Sequence, residues 1–363
     1  MINLSPKFQS IDGIGDTVVK VFSDIPSQRD GKNVLLRTRS SGGFQYFYMG
    51  KEIKFLDERL MLESGEVVIF FFSAGCSQRF YRPSGNSNTI LLTERCDQKC
   101  LMCSQPPKDR DYLHWELYKE AINFLPSDAV IGISGGEPTL FLDKLLDFIE
   151  SAVNIHPNIR FHILSNAQHF EKKHSPRLSS LRENILWGIP IYASEPDLHD
   201  HIVGKSGAFN KLLEGFNVLL SSSSRVEIRT VVMGDNYPNF LSLAQFLTTH
   251  LSWAEVWAIM QLEPIGFARI DWQAKFVDTS ENFEILEEVL KITELKEMKT
   301  LLYNFPICTV KPQFRQRCVK SISDWKQKYL DECGVCSLKT SCTGFFEWYN
   351  EEKGFGNIEA IRA

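Results

Sequence analysis

The sequence predicts an α/β protein whose centre is an open, partial barrel of six strand–helix units. Over roughly 215 residues, short apolar runs alternate with segments of helical periodicity, which is typical of parallel strands joined by crossover helices. Six units are too few to close a full eight-stranded barrel. A strand-rich segment precedes this region, and a segment rich in cysteine follows it.

Three domains are predicted: a small β-rich domain over residues 1–86, the partial barrel over 87–305 and a cysteine-rich module over 306–363. Runs of β-branched and aromatic residues bounded by Gly, Ser and Asp predict the strands of the first domain. A turn-forming stretch at 83–88 predicts the linker to the barrel. Because the strand–helix rhythm stops near residue 306, a bound metal is expected to hold the last module together.

The elements of the barrel are predicted in order from the period of their apolar residues. Strands are expected to begin near Ile90, Ala129, Ile159, Ile185, Val226, Glu255 and Thr300. Helices are expected near 114–125, 139–156, 174–184, 207–222, 239–252 and 280–298. Asp278 and Glu281 have the spacing of a capping box for the last helix, ahead of an apolar stripe.

Composition and charge exclude several classes of protein. Of the 363 residues, 43% are hydrophobic and 23% charged, as in an ordinary globular chain. The net charge of −5 argues against bulk binding to nucleic acid or to an anionic membrane. The first ten residues lack the charged start and apolar run of a signal peptide, and the most apolar stretch, 67–74, is too short to span a bilayer. We expect a soluble, cytoplasmic protein.

Three of the nine cysteines form a tight C-x3-C-x2-C loop directly after the first barrel strand: Cys96, Cys100 and Cys103. Without a secretion signal, such clustering indicates metal ligation rather than disulfides. Three thiolates leave a tetrahedral zinc site one ligand short. They suffice for three irons of a [4Fe–4S] cluster, whose fourth iron stays open to a substrate or cofactor. A structural zinc loop completed by a distant His or Cys is the alternative.

This loop resembles that of the radical S-adenosylmethionine (SAM) enzymes. The resemblance implies a TIM-like partial barrel and an open iron that chelates the amino and carboxyl groups of the methionyl moiety. Met102 precedes the third cysteine, where that superfamily usually has an aromatic residue. Its polarizable thioether is suited to packing against an adenine ring.

A second motif, Ser134-Gly135-Gly136-Glu137-Pro138, ends the second barrel strand. Glycines let a backbone approach a ligand closely, and Pro138 suits a first helical turn while keeping Glu137 extended. Glu137 is therefore expected to face a ligand at the carboxyl edge of the sheet. In radical SAM enzymes a Gly-Gly-Glu segment at this place binds the methionyl ammonium.

The same segment also satisfies the G-x-S-x-G pattern of a hydrolase nucleophile elbow. Asp197 and either His199 or His201 follow in an order that a catalytic triad permits. This alternative leaves the Glu-Pro pair and the cysteine loop without a role. For the two histidines, which are expected in a loop, capping and packing are favoured over metal binding.

Further candidates for contacts with SAM follow the other barrel strands. Ser165, Asn166 and Ser194 end the third and fourth strands, within reach of a ribose, and Arg229 is placed to pair with the methionyl carboxylate. Gln261 and Glu263 end the sixth strand near Gly266. For each of them, an ordinary turn or cap role is the alternative.

Five cysteines near the end of the chain predict a second metal site: Cys308, Cys318, Cys333, Cys336 and Cys342. Their spacing resembles the shorter auxiliary-cluster modules (twitch or SPASM-like) of radical SAM peptide maturases. The expected ligands of one auxiliary [4Fe–4S] cluster are the last three, with Cys308 fourth and Cys318 as the alternative. A structural zinc is the other possibility. Cys76 stands alone and is expected to be a small buried hydrophobe.

Several longer segments resemble one narrower family, the C-type radical SAM maturase of the His-Xaa-Ser system. These are Glu94–Pro107, Ser134–Leu140, Ile189–Tyr192, Ser321–Lys326 leading into Cys333, and Gly344–Phe346. The resemblance implies a bacterial enzyme that modifies a ribosomally made peptide rich in His-Xaa-Ser repeats, beside a second radical SAM protein. Its chemistry requires an electron donor such as a reductase, a flavodoxin or a ferredoxin.

Two other functions compete with this interpretation. The basic run over 311–328 would suit a radical SAM enzyme that acts on an anionic small molecule or nucleotide. A non-catalytic iron–sulfur carrier is the third possibility, and it leaves the Gly-Gly-Glu segment unexplained.

Overall fold

A computed structural model describes residues 5–9, 14–23, 33–40, 43–57, 61–85 and 87–362. Some residues of the predicted first domain therefore lie outside the described residues. They include part of the first ten residues of the chain and part of the predicted linker over 83–88. The chain divides into two compact units. The first comprises Met1–Ile90, Tyr112–Gly132 and Asp143–Phe161, and the second comprises Leu91–Asp111, Ile133–Leu142 and His162–Ala363. The predicted boundaries at 86 and 305 stay a prediction.

The first sheet has six strands: β1 (Thr17–Phe22), β2 (Val34–Ser40), β3 (Gly43–Tyr48), β4 (Lys51–Ile53), β5 (Val67–Phe71) and β6 (Cys76–Tyr81). Their order is β4-β3-β2-β1-β5-β6. Only the pair β1–β2 is parallel. A core that includes Phe8, Leu35, Phe70 and Phe72 packs against this sheet. Cys76 was expected to be buried, but it is half-buried in β6.

The second sheet has eight strands, in the order β14 to β7: β7 (Thr89–Thr93), β8 (Val130–Gly135), β9 (Arg160–Leu164), β10 (Ile185–Pro190), β11 (Arg225–Val231), β12 (Val256–Met260), β13 (Thr300–Tyr303) and β14 (Cys318–Val319). The pairs from β10 to β14 are parallel. Each of the seven predicted strand starts lies within one residue of an observed one. The α/β class is confirmed. The sheet has eight strands rather than the seven whose starts were predicted, because β14 comes from the segment assigned to the cysteine-rich module.

The helices are α1 (Trp115–Ile122), α2 (Leu142–Ile155), α3 (Ser175–Ser180), α4 (Pro196–Val203), α5 (Ala208–Ser221), α6 (Phe240–His250), α7 (Trp272–Lys275) and α8 (Glu284–Leu295). A hairpin of β15 (Gln327–Lys328) and β16 (Phe345–Phe346) follows β14. No helix in the described part of the chain is long and apolar enough to cross a membrane.

Two local predictions about helices were wrong. The segment with His199 and His201 is helix α4 rather than a loop, since Pro196 occupies its first turn and Gly204 ends it in the left-handed conformation. The capping box at Asp278 was placed too early. Helix α8 begins at Glu284, and the Asp278 carboxylate instead accepts hydrogen bonds from the N–H and hydroxyl of Ser280.

Candidate functional site

The three-cysteine loop follows β7 and is held to the end of α4 by backbone hydrogen bonds. The N–H of Lys99 donates to the carbonyl of Val203, and that of Leu101 donates to the carbonyl of Ile202, both at 2.9 Å. A tight turn within the loop closes through the Cys103 N–H and the Cys100 carbonyl at 3.0 Å. The spacing that suggested a metal site therefore forms a fixed loop at the edge of the second sheet.

The thiols of this loop lie close enough to affect one another. Burial raises the pKa of the Cys96 thiol to about 12. Burial also raises the pKa of Cys100, and the charges of Cys103 and Cys96 raise it further. Within the described residues, no three His, Cys, Asp or Glu side chains already surround a common metal position. Three thiols on one short loop match the ligands of an iron–sulfur cluster with one open iron, whereas a zinc site would need a fourth ligand.

Gly135 and Gly136 let the end of β8 lie directly against the end of β7. The Gly136 N–H donates to the Thr93 carbonyl at 2.7 Å, and the Glu137 N–H donates to the Arg95 carbonyl at 2.8 Å. A Cβ at Gly136 would lie 2.0 Å from the Arg95 carbonyl oxygen, and Gly135 has a φ of +142°. These glycines were expected to admit a ligand, and the close neighbour that they admit is the chain itself.

The Glu137 carboxylate is 1% exposed and accepts hydrogen bonds from within the protein. Its Oε1 accepts from the N–H and the hydroxyl of Thr139, and its Oε2 accepts from the Asn166 N–H at 2.6 Å. Burial raises the pKa of Glu137, although these hydrogen bonds oppose the rise. Glu137 is extended and Pro138 opens the following 3-10 turn, as predicted. Its carboxylate, however, caps that turn and joins it to the end of β9.

Ser165 and Asn166 follow β9 and are both buried beside Glu137. The hydroxyl of Ser165 lies 3.2 Å from the Thr139 hydroxyl and accepts from the Ala167 N–H at 3.0 Å. The Asn166 side chain donates to the Asp97 carboxylate at 2.7 Å. The structure thus brings these two candidates together with Glu137 and the cysteine loop, with their polar atoms engaged inside the protein.

Arg229 lies on the inner side of β11 in a network of polar side chains. It forms an ion pair with Glu227, and its Nη2 lies 3.1 Å from the Met260 sulfur. Glu227 is also 3.4 Å from His162 Nε2 and accepts from the Tyr303 hydroxyl at 3.3 Å. Burial alone would raise the pKa of Glu227, but His162 and Arg229 outweigh it and hold it at about 2. Sequence reasoning missed Glu227, which the alternation of charges at 225, 227 and 229 could have signalled.

The remaining candidates for SAM contacts form hydrogen bonds with residues other than Glu137. Ser194 donates to Glu195 at 2.8 Å. Glu263 accepts from Lys326 at 3.1 and 3.2 Å, and burial raises its pKa. Gln261 donates to the Val277 carbonyl.

Met102, the residue before the third cysteine, is 8% exposed and packs in an apolar cluster with Tyr192, Ile202 and Met233. Near it, the Phe267 N–H donates to the Cys103 carbonyl at 2.9 Å. The turn that follows Gly266 therefore also holds the cysteine loop.

His199 was expected to pack rather than to bind a metal, and in the structure it is a buried residue of α4. Its ring stacks on Tyr192 and meets Phe209 edge-on. Its Nδ1 accepts from the Tyr192 N–H at 3.3 Å, and burial lowers its pKa to about 4. Asp197 is exposed and Ser134 is half-buried. These contacts favour a packing role for His199 over a place in a triad with Ser134.

Four cysteines near the end of the chain line one cavity, which the segment Ile358–Ile361 also lines: Cys308, Cys333, Cys336 and Cys342. Burial raises the pKa of Cys308 to about 12, with further contributions from the charges of the other three. The sulfur of Cys342 accepts from the N–H groups of Ile307 and Gly344 at 3.4 and 3.3 Å. Burial also raises the pKa of Cys318 to about 12. Four cysteines around one cavity fit either a cluster or a tetrahedral zinc ion.

A comparison with protein-family models gives a match over the part of the chain that contains the three-cysteine loop. Residues 90–247 match the family model described as Radical SAM superfamily. The uncharacterized protein MJ0907 of Methanocaldococcus jannaschii is 27% identical over 172 residues, which are 45% of this chain and 59% of that protein.

Two solved structures resemble part of the chain. Streptococcus suis SuiB bound to S-adenosylmethionine has a TM-score of 0.49 at 16% identity, over 59% of this chain and 49% of SuiB. Native anSMEcpe with bound AdoMet and Kp18Cys peptide has a TM-score of 0.48 at 15% identity, over 59% of this chain and 63% of its own. The chain thus spans less than two thirds of each of these relatives. The family match covers both the three-cysteine loop and the Gly-Gly-Glu segment, and it supports membership of the radical SAM superfamily.

Proposed function

We propose that this chain is a radical SAM enzyme that modifies a peptide. The observation that carries the proposal is the three-cysteine loop, fixed on α4 beside the Gly-Gly-Glu segment, inside the part of the chain that matches the superfamily. A [4Fe–4S] cluster held there by Cys96, Cys100 and Cys103 would supply the electron that cleaves SAM reductively into methionine and a 5′-deoxyadenosyl radical, which abstracts a hydrogen atom from the substrate.

The chain's own residues position and shield this site. Backbone bonds from α4 and from the turn after Gly266 hold the cysteine loop on two sides. Met102 belongs to an apolar cluster against which Cys100 and Leu101 of the loop pack. The Glu137 carboxylate links the segment after β8 to the segment after β9 through the Asn166 N–H. We therefore propose that it holds the Gly-Gly-Glu backbone in place. That backbone remains the candidate for contact with the methionyl ammonium.

We further propose that the C-terminal cysteines hold an auxiliary [4Fe–4S] cluster. The cavity lining supports Cys308 as the fourth ligand beside Cys333, Cys336 and Cys342. The sulfur of Cys342 also accepts two N–H···S contacts, as the sulfur ligands of iron–sulfur clusters do. The chain end covers the site, since both the N–H and the hydroxyl of Ser337 donate to the Ile361 carbonyl, at 2.8 and 2.9 Å. A bound zinc is the alternative, and metal analysis decides between the two.

For the substrate we propose a peptide with His-Xaa-Ser repeats, on the strength of the narrower family resemblance. The alternative of an anionic substrate drew on the basic run over 311–328, and three of its charged side chains form ion pairs with carboxylates of this chain. Lys311 pairs with Glu287 at 2.6 Å, and Arg317 pairs with Glu294 at 2.9 Å. Lys326 pairs with Glu263. A second radical SAM protein and a small electron-transfer protein are the proposed partners.

The test is anaerobic reconstitution followed by addition of SAM and a chemical reductant. We expect 5′-deoxyadenosine in the products, and its absence from a cluster-loaded sample would contradict the proposal. The same reaction with a His-Xaa-Ser peptide should change the peptide's mass. Formation of 5′-deoxyadenosine with an unchanged peptide would favour a small-molecule or nucleotide substrate instead.

A further inference from the structure

Asn166 contacts both of the segments that define the candidate site. Its backbone N–H donates to Glu137 Oε2 at 2.6 Å, and its side-chain Nδ2 donates to Asp97 Oδ1 at 2.7 Å. Glu137 ends the Gly-Gly-Glu segment, and Asp97 directly follows the first cysteine of the loop. Asn166, which lies shortly after β9, therefore links two segments whose contacting residues, Asp97 and Glu137, are 40 residues apart in sequence.

The carboxylate of Asp97 is held from three directions. Besides Asn166, Lys205 Nζ contacts its Oδ2 at 2.5 Å and His169 Nε2 lies 3.3 Å from the same oxygen. Lys205 follows α4, whose last residues hold the cysteine loop through backbone bonds, and it also donates to Gln168 at 2.6 Å. All of these contacts hold Asp97, which lies between the first two cysteines of the loop. A change in the backbone at Asp97 would also move the neighbouring Cys96.

The backbone around Asn166 has little freedom to turn. Its side-chain oxygen accepts from the Gln168 N–H at 3.1 Å, so both ends of the amide are engaged. The next residue, Ala167, is fully buried with a φ of +60°, a left-handed conformation that is unfavourable for a non-glycine residue. Such strain persists only where the surroundings over-determine the backbone, and it concentrates at functional sites.

We propose that Asn166 is a positioning residue that sets the distance between the cysteine loop and the Gly-Gly-Glu segment. This inference rests on the function proposed above, because it concerns how the same site is assembled. It replaces the expectation that Asn166 reaches a ribose, since its side chain is committed to Asp97 and Gln168. The site is therefore correctly spaced for SAM only while the Asp97–Asn166 contact persists.

The variant Asn166→Asp tests the contact while keeping the size and the backbone of the residue. It sets a second carboxylate oxygen against Asp97 Oδ1, so a charge-assisted hydrogen bond becomes a repulsion. The double variant Asp97→Asn with Asn166→Asp restores one amide facing one carboxylate. In this double variant, the carboxylate at position 166 accepts from the Gln168 N–H and from the amide at position 97. The oxygen of that amide remains available to Lys205.

Four measurements on reconstituted protein test the role: iron per chain, the melting temperature, the electron paramagnetic resonance spectrum with and without SAM, and KM and kcat for 5′-deoxyadenosine formation. Asn166→Asp should keep its iron and raise KM for SAM at least about tenfold, the loss expected for a bond to a charged group. Its spectrum should require at least about tenfold more SAM than the wild type for the same change. The double variant should return KM to within about threefold of wild type. Asn210→Asp, on the exposed face of α5, adds the same charge outside the network and should match the wild type.

Wild-type KM in Asn166→Asp would overturn the positioning role, as would a lowered melting temperature with unchanged KM, which signals a purely structural residue. Failure of the double variant to restore KM would mean that the Asn166 side chain touches SAM directly. If the wild-type protein itself forms no 5′-deoxyadenosine, the proposed function fails rather than this inference.

Discussion

Replacing Glu137 by Gln tests whether this buried carboxylate holds the Gly-Gly-Glu segment in place. Three donors need an acceptor there: the Thr139 N–H, the Thr139 hydroxyl and the Asn166 N–H. A glutamine amide has one oxygen, so in either orientation its NH2 group faces at least one of these donors. Because Glu137 is 1% exposed, water is not there to replace the lost acceptor.

The expected loss of stability comes from that unsatisfied donor. A buried donor without an acceptor costs about 1–3 kcal/mol, and the weaker neutral hydrogen bonds add to the loss. Removing a buried charge offsets part of it. We therefore expect the free energy of unfolding to fall by about 1–3 kcal/mol. A loss of 1 kcal/mol lowers the melting temperature of a domain of about 150–250 residues by about 2–4 °C. The melting temperature should therefore drop by roughly 2–12 °C.

Thermal unfolding followed by circular dichroism, on protein without metal or SAM, isolates this effect from any contact with a ligand. Glu214→Gln is the matched control, because Glu214 is exposed on α5 and forms only a surface pair with Lys211. Melting of Glu137→Gln within about 1 °C of that control would refute the reasoning. SAM affinity is measured separately on reconstituted protein. A fall of about ten- to a hundredfold there would add direct binding of the ammonium to the structural role.

Three further predictions concern the metal sites and the network in the second sheet. Cys100→Ala should abolish 5′-deoxyadenosine formation while leaving the circular dichroism spectrum unchanged, because the loop is also held by backbone bonds to α4; residual product would contradict the cluster assignment. Replacing all three loop cysteines by Ala should halve the iron of reconstituted protein, from about eight to about four per chain, if the C-terminal site holds a [4Fe–4S] cluster. One equivalent of zinc in a colourless sample would identify a zinc site instead. Glu227 has a lowered pKa of about 2 against an ordinary 4.5, so it contributes stability above pH 4.5 that is lost as the pH falls toward 2. Between two and three pKa units correspond to about 3 kcal/mol, and Glu227→Gln should flatten the acid limb of the stability curve; an unchanged acid limb would show that the ion pair adds nothing.

The sequence by itself determined seven of the eight strand starts of the second sheet and the spacing of the cysteines in both groups. These features are encoded in short windows, because apolar periodicity follows local backbone geometry and metal ligands on one loop need fixed spacings. The extended backbone at Glu137 and the turn after it were equally local, since Pro138 restricts the residue before it.

Only the tertiary structure decided which side chains meet. Asp97 contacts Asn166 and Lys205, which lie 69 and 108 residues further along the chain, and no local pattern carries those pairings. Glu137 and Arg229 were expected to face a ligand, and that role stays a prediction. In the structure, Asn166 donates to Glu137, and Glu227 forms an ion pair with Arg229. A buried polar group must find a partner within the protein, and the packing of distant segments decides which one it finds.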